Sequence, residues 1–194
     1  MKKLFTVCLL LFCHSLYSQK MNEEERQLRT SADFSSFLSA VKTNSTKGCL
    51  CKSNEFVVFS FQTKANKTAS LCVSKNITKT SGYLLYRFGT KAKIELAFPL
   101  DTLNSLSKFS FAHYNRGGGK QNAAMSVNNL VFTNGSTTYT LYDDWNAEDN
   151  RKARGIIATN NKTGKSVSMK AKGKVIGSLY PFSNANMVAE SDEL

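Results

Sequence analysis

Apolar side chains recur at every second position in one short segment after another from residue 57 onward, and this alternation restricts the fold more than any other feature. Val57, Phe59 and Phe61 form the first set, and similar sets follow at intervals of about 8–14 residues. A two-residue period is typical of strands that bury one face. The pattern predicts that these three side chains share one face of a first strand.

No segment with a helical pattern separates these sets, which excludes parallel β-α-β units. Asn134 and Gly135 stand between two of the sets, and this dipeptide favours a tight hairpin because both residues accept positive φ. We therefore predict a mainly β protein, a single antiparallel β-sandwich or barrel of about nine or ten strands with a short N-terminal helical segment.

Residues 1–18 have the composition of a secretory signal peptide. Lys2 and Lys3 precede an apolar run, Leu4–Phe12, that is too short to span a bilayer. A lipid anchor on Cys8 or Cys13 is the weaker alternative, because a large residue precedes each cysteine. We predict export, to the periplasm or as a secreted protein.

The whole chain of 194 residues has the length of one domain. Early acidic residues and apolar residues at helical spacing predict one or two short helices within Met21–Thr43. The predicted organisation after the signal peptide is a helical segment and connector over 19–53, a β-domain over 54–182 and a loose polar tail over 183–194.

Without the signal peptide the chain would keep 24 basic and 14 acidic residues, a net charge of +10. The basic residues are mostly single lysines spread along the chain, as on an ordinary solvated surface. A charge of this size favours acidic partners or anionic surfaces and carries no information about the fold.

Three cysteines remain in the exported chain: Cys49, Cys51 and Cys72. An oxidising compartment permits a disulfide, and the odd number leaves one thiol over. Cys49 and Cys51 are too close to prefer each other, so we expect one of them to pair with Cys72. No metal site is predicted, because the C-x-C spacing differs from that of common zinc sites, and no cofactor is implied.

Three motifs follow one another along the chain, SLCVSK at 70–75, GYLLYRFG at 82–89 and HYNRGGGKQN at 113–122. In these motifs the chain resembles a largely uncharacterised family of small exported bacterial β-rich proteins, with patterns of the type S-L-C-x-S-K, G-Y-L-x-Y-R-F-G and Y-x-R-G-G-G-x-x-N. The resemblance covers roughly residues 55–180. It implies an exported all-β domain without assigned catalytic residues.

The family pattern also bears on the cysteines. Its members often carry a second cysteine in the strand that faces the position of Cys72. This chain has Phe59-Ser60-Phe61 in that strand, and the resemblance therefore implies that Cys49 or Cys51 has taken over the role of the missing partner.

The glycine-rich segment after the third motif's tyrosine is the main candidate for a binding loop. Exposed backbone N–H groups beside two cations would cradle an anion or an acidic partner. The alternative is a mobile loop or a bulge without a binding role, and a nucleotide-binding P-loop is excluded because no Lys-Ser/Thr pair follows. The candidate binding residues here are Tyr114, Arg116, Gly117, Gly118, Gly119, Lys120 and Asn122.

The strand bounded by Gly82 and Gly89 supplies the remaining candidates. Tyr83 and Arg87 would share one face and Tyr86 the other. Tyrosine and arginine are typical of contact surfaces, so we consider the three as binding residues, with simple core packing as the alternative.

An acidic and aromatic segment, Tyr142–Glu148, carries Asp143, Asp144 and Trp145. It would bind a cation or lie against Arg116, or it is a polar hairpin extension with Trp145 folded onto the core. Neither a calcium-loop motif nor a spaced catalytic pair is present.

Catalysis has little support in the sequence. His113 is the one histidine after the signal peptide, and no G-x-S-x-G nucleophile motif occurs. We predict no catalytic residues.

The chain contains five N-x-Ser/Thr sequons and ends in Ser-Asp-Glu-Leu, which resembles an endoplasmic-reticulum retention signal. Both would matter in a eukaryote. Because the family resemblance is bacterial, we interpret them as products of an Asn- and Thr-rich composition.

These observations favour an exported, non-catalytic binding protein of the cell envelope or exterior, which engages a protein partner as inhibitor- or immunity-type exported β-domains do. Binding to a polyanion or anionic surface is the first alternative, and an envelope hydrolase is the second.

Overall fold

The computed structural model describes residues 33–78 and 81–191. The predicted signal peptide and the first part of the predicted helical segment lie outside the described residues. Helix α1 covers 33–42, a short 3-10 helix covers Ser105–Lys108, and helix α2 covers Phe182–Ala185. The strands are β1 (Glu55–Thr63), β2 (Thr68–Ser74), β3 (Leu84–Gly89), β4 (Ile94–Phe98), β5 (Ser110–Arg116), β6 (Met125–Asn134), β7 (Thr137–Asn146), β8 (Arg151–Asn160), β9 (Ser166–Gly177) and β10 (Ala189–Glu190).

The ten strands form one sheet in the order β10-β5-β6-β7-β8-β9-β1-β2-β3-β4. All pairs are antiparallel except β10 with β5. The prediction of a mainly β fold with about nine or ten strands is confirmed, but the sheet is mixed because β10 runs parallel to β5. The patterns at 166–169 and 175–179, which suggest two strands, belong to the single long strand β9.

Strand β9 bends the sheet upon itself. Residues 166–170 pair with β8 and residues 171–177 pair with β1; Gly173, with φ +71°, lies in the second part, where the register with β1 shifts. The curled sheet buries one face as a core. Aromatic rings meet across this interior, with Phe132 of β6 lying 5.1 Å from Tyr86 of β3 and 4.6 Å from Phe98 of β4, between ring centroids.

The segment after β9 packs against the core, which corrects the prediction of a loose tail for residues 183–191; residues 192–194 of that predicted tail lie outside the described residues. Phe182 contacts Phe37 of α1 at 5.2 Å between ring centroids, and Ala185 and Met187 are buried. Strand β10 then pairs with the edge of β5. The three apolar residues, spaced too irregularly to produce a periodic pattern, account for this packing.

A β-bulge in β1 changes which residues face the core. The register of β1 with β2 shifts between Val57 and Phe59. Phe59 and Phe61 therefore belong to the core cluster, whereas Val57 pairs with Cys72 on the opposite face. The prediction that all three side chains share one face is wrong, because Val58 is the extra residue that the bulge accommodates.

The connector before β1 covers the outer face of β1, β2 and β3. Cys51 forms a disulfide with Cys72, and the buried Cys49 is free. The prediction that one of the two early cysteines pairs with Cys72 is confirmed. Leu50 donates its backbone N–H to Ser70 Oγ at 2.9 Å, which fixes the connector to β2 beside the disulfide.

No helix in the described part of the chain combines the length and the apolar character needed to cross a membrane.

Candidate functional site

Two residues of the predicted contact surface, Tyr86 and Arg87, are buried in the structure. Tyr86 lies in the core with 1% of its surface exposed. Arg87 is 6% exposed and contacts Glu55 on the opposite face. Neither side chain can reach a partner, so the prediction that they belong to a contact surface is corrected. The physical reason is that β3 is covered by the core on one face and by the connector on the other.

Tyr83 and Arg87 do share a face, and both bind the fully buried Glu55. Arg87 donates from both Nη atoms to the carboxylate, at 2.6 and 2.8 Å, and Tyr83 donates its hydroxyl at 3.0 Å. Burial alone would raise the pKa of Glu55, but the bonds from Arg87 and from the Lys52 backbone N–H outweigh it and the pKa is lowered. This network holds the connector in place and is structural.

The glycine-rich loop, residues 117–122, joins β5 to β6 and is exposed throughout. Its second half forms a turn, because Gly119 donates its N–H to the Asn122 carbonyl at 2.9 Å. A Cβ built at Gly117 or Gly119 would meet no atom within 4 Å. Dense packing therefore does not explain these two glycines, and the loop is free to approach another molecule.

A cleft of about 500 Å³ opens beside this loop, and we call it the mouth cleft. It lies where the inner face of the curled sheet changes from apolar to polar. Along β6 the inward positions run from Phe132 and Leu130 to Asn128, and along β7 they run from Leu141 to Asp143. Mouths of curled or closed sheets are common ligand sites. The cleft is lined by inward residues of β5–β8, by the start of the glycine-rich loop and by Ser178 and Tyr180.

The ladder between β6 and β7 opens at the cleft. Paired residues run from Met125 to Ser126 and resume at Asn129, with the same register on both sides. In the gap the Asn128 backbone N–H donates to the Asp144 side chain at 3.3 Å. Burial raises the pKa of Asp144, against the lowering effect of that bond.

Asp143 is the structural centre of the cleft. It is 5% exposed, and both of its carboxylate oxygens are occupied. Oδ1 accepts from Arg154 Nε at 2.5 Å, while Oδ2 accepts from the Ser178 hydroxyl at 2.5 Å and from the Leu179 N–H at 3.0 Å. Asp143 thus fixes Arg154 and the chain after β9 to the same wall.

Asn128 is 2% exposed and its amide has one orientation that satisfies its neighbours. Nδ2 donates to the Asp143 carbonyl at 3.0 Å and to Ser126 Oγ at 2.8 Å. Ser126 in turn donates its hydroxyl to Asn115 Oδ1 at 2.6 Å. If the amide were flipped, Asn128 Oδ1 would face the Asp143 carbonyl oxygen, and two acceptors would lie in contact. Asn128 Oδ1 is the one buried side-chain polar atom of the described residues that lacks a hydrogen-bond partner.

Two arginines line the cleft, and each is anchored through Nε. Arg154 donates from Nε to Asp143, and Arg116 donates from Nε to the Ala123 carbonyl at 3.1 Å. Over residues 33–78 and 81–191, no carboxylate forms an ion pair with Arg116. Within the same ranges no hydrogen bond uses the Nη atoms of either arginine. The two guanidinium groups therefore keep free donor edges.

We expect Asp143→Asn to lower the free energy of unfolding by about 1.5–3 kcal/mol, because an amide cannot accept from donors on both sides of the carboxylate. Asp149→Asn is the matched control, since its ion pair with Arg151 is exposed and is expected to contribute less than about 1 kcal/mol. Urea denaturation followed by circular dichroism measures both. Equal losses in the two variants would contradict the structural role of Asp143.

The acidic aromatic segment predicted over 142–148 is mostly the end of β7. The segment is predicted to bind a cation or to lie against Arg116. Trp145 and Arg116 do line the same cleft, but the carboxylate of Asp143 pairs with Arg154. Asn128 was missed. Its signal was its position two residues before the buried Leu130, which places a polar side chain on an inward face.

The other reactive side chains offer no competing site. Cys51, Glu55 and Cys72 have ligand atoms within 4.8 Å of one another, but the two cysteines are joined in the disulfide and cannot act as thiolate ligands. His113 stacks on Phe111, with ring centroids 5.5 Å apart.

Comparisons with protein-family models, with curated proteins and with solved structures found no match to this chain. The resemblance based on the three motifs stays a prediction.

Proposed function

We propose that this protein is an exported, non-catalytic binding protein, and that it engages a protein partner through the open mouth of its barrel-like sheet. The contact surface comprises the glycine-rich loop and the mouth cleft. The observation that carries the proposal is their continuity, because Gly117 belongs to both and Arg116, the residue before the loop, lines the cleft. Export rests on the composition of residues 1–18.

The side chains around the mouth have the chemistry of a binding surface. Tyr114 is 43% exposed and Tyr180 is 50% exposed, and Trp145 lines the cleft together with Tyr180. Tyrosine, tryptophan and arginine contribute most of the binding energy in protein interfaces. Exposed aromatic side chains and an arginine without an ion pair are therefore available at one end of the sheet.

The same groups support binding more than catalysis. Asp143 uses both carboxylate oxygens to hold Arg154, Ser178 and Leu179, so both oxygens are engaged by structural donors. A general base must be within hydrogen-bond reach of the proton that it removes. The cleft holds its polar groups in fixed positions, which suits recognition.

A pull-down from envelope and culture-fluid extract tests the proposal. The bait is the protein from Gln19 onward, compared with an Arg116→Ala/Lys120→Ala variant. A Lys162→Ala/Lys165→Ala variant is the matched control, because it removes the same charge from the exposed turn between β8 and β9. We expect one protein to be retained at high salt by the native bait and by the control, and to be lost with the Arg116→Ala/Lys120→Ala variant.

The contrary result is equally specific. Mixed anionic material, held equally by all three baits and released by salt, would overturn the proposal. It would favour binding to a polyanion through the scattered lysines, because contacts to a polyanion weaken steeply as salt rises.

A further inference from the structure

We infer that the mouth cleft binds the free C-terminal end of a polypeptide, taking its carboxylate on the arginines and its last backbone N–H on Asn128 Oδ1. The inference rests on the proposed function and names the part of the partner that enters the cleft. Three features of the cleft carry it: its charge, its one unsatisfied acceptor and its apolar wall.

The net positive charge of the cleft favours an anionic ligand. Arg116, Arg154 and Asp143 are the charged residues in its lining, which leaves an excess of one positive charge. The Nε atoms of both arginines are already bonded, so the free Nη edges face the remaining space. A guanidinium edge matches the two oxygens of a carboxylate, and such paired bonds are both stronger and more directional than neutral hydrogen bonds.

The unsatisfied acceptor, Asn128 Oδ1, favours a ligand that has a hydrogen-bond donor next to its anionic group. Asn128 Oδ1 is buried and cannot turn away, because the amide nitrogen is bonded to the Asp143 carbonyl and to Ser126 Oγ. A buried acceptor without a partner costs about 1–3 kcal/mol, so a ligand that supplies an N–H recovers this energy. Asp143 links Asn128 directly to Arg154, which places the acceptor next to the cation.

A chain terminus carries these two groups close together, because its carboxylate and its own N–H are attached to the same Cα atom. In the inferred complex the N–H bonds to Asn128 Oδ1, and the carboxylate bonds to the Nη atoms of Arg154 and Arg116. The glycine-rich loop, which follows Arg116 and lines the cleft at Gly117, borders the space left for the preceding residues of the partner.

The rest of the lining distinguishes a peptide from an acidic sugar. Ala124, Met125, Trp145 and Tyr180 present apolar or aromatic surface to the cleft. A sugar would bring several hydroxyl groups, and the described residues offer one buried acceptor without a partner. A terminal residue brings one N–H and an apolar side chain, which this wall accommodates.

Fluorescence of Trp145, the single tryptophan of the chain, reports on ligands in the cleft directly. The protein from Gln19 onward is titrated with four acetylated tripeptides, acetyl-Ala-Ala-Xaa, ending in leucine, phenylalanine, serine or lysine. Each is compared with its C-terminal amide, and galacturonate and inorganic phosphate are added as further probes. We expect saturable binding of at least one free acid, at least tenfold tighter than its amide.

Two variants test the residues assigned to the carboxylate. Arg116→Gln leaves Asp143 untouched, and Arg154→Lys keeps a cation beside Asp143 but removes the forked edge. Each is expected to weaken the tripeptide at least tenfold, whereas Lys162→Gln, in the exposed turn between β8 and β9, is expected to leave its affinity within twofold. Thermal melting confirms that each variant is folded, and Arg116→Gln decides the test if Arg154→Lys is not.

Equal affinity for acids and amides would overturn the inference, and so would binding of galacturonate or phosphate without any tripeptide. Absence of binding by every probe would also overturn it. The pull-down result stands independently of these outcomes. A partner captured through Arg116 and Lys120 with no tripeptide binding would keep the proposed function and reject the terminus as its ligand.

Discussion

Replacement of Arg87 by methionine is expected to lower the free energy of unfolding by about 3–5 kcal/mol. Glu55 is fully buried, and Arg87 supplies the two shortest side-chain bonds to its carboxylate. Methionine fills a similar volume, but it leaves a buried negative charge without a countercharge. Arg87 also donates to the Leu50 carbonyl at 3.3 Å, so the connector loses a contact at the same time.

Chemical denaturation of the native protein, of Arg87→Met and of the double variant Glu55→Gln/Arg87→Met measures the effect. The double variant removes both charges and keeps an amide that can bond to Tyr83 and to the Lys52 N–H. It is expected to lose much less stability than Arg87→Met. If both variants lose the same amount, the cost comes from packing, and the ion pair is not its cause.

The pH dependence gives a second test of the same pair. In the native protein the pKa of Glu55 is lowered from its ordinary value of 4.5, so its contribution to stability is present above pH 4.5 and is lost as pH falls through the folded-state pKa. Without Arg87, burial is the dominant effect and raises the pKa. The variant then loses stability as pH rises through the raised pKa. The difference between the two proteins is therefore expected to be larger at pH 7 than at pH 4.

Loss of the Cys51–Cys72 disulfide is expected to lower the free energy of unfolding by about 3 kcal/mol. The two cysteines are 21 residues apart, and cross-linking a loop of this length restricts the unfolded chain by roughly that amount. The native state is also destabilised when the disulfide is lost, because the disulfide holds the connector over Val57 and Glu55. Denaturation of Cys51→Ala/Cys72→Ala, compared with the native protein under non-reducing conditions, measures the loss.

Cys49→Ala is the control, since Cys49 is buried but unpaired. It is expected to keep the disulfide and to lose much less stability. Thiol titration of the denatured, unreduced protein from Gln19 onward should find one thiol in the native sequence and none in Cys49→Ala. A Cys49–Cys72 bond in the peptide map of the native protein would contradict the assignment.

The sequence predicts the strands well because each alternating set has its own turn residues. It does not predict the bulge at Val58, because Val57, Val58 and Phe59 are all apolar and either face would accept them. It also does not show that Arg87 is covered on its outer face. The connector that covers it is polar in sequence, and it is held on the sheet by its disulfide, by the Ser70 bond and by the bond from Arg87 to the Leu50 carbonyl.

The candidate site is predictable in its loop and not in its cleft. Three consecutive glycines beside Arg116 can be recognised within one short segment, without knowing which other segments pack against it. Asn128 and Arg154 acquire their roles from pairing across neighbouring strands and from the chain after β9, which brings Ser178 to Asp143. Polar residues on an inward face near the end of a strand are the pattern that would have indicated them.

The pairing of β1 with β9 has a consequence for the order in which the chain becomes ordered. Phe59 meets Gly177, so the first strand acquires one of its two neighbours only when almost the whole sequence is present. Contacts between such distant segments slow the search for the native arrangement, and an unpaired strand edge invites association with other chains. Until residue 177 has emerged, β1 to β4 form a sheet with an open edge. The two halves of the sheet are therefore joined only when β9, the last long strand, pairs with both β8 and β1.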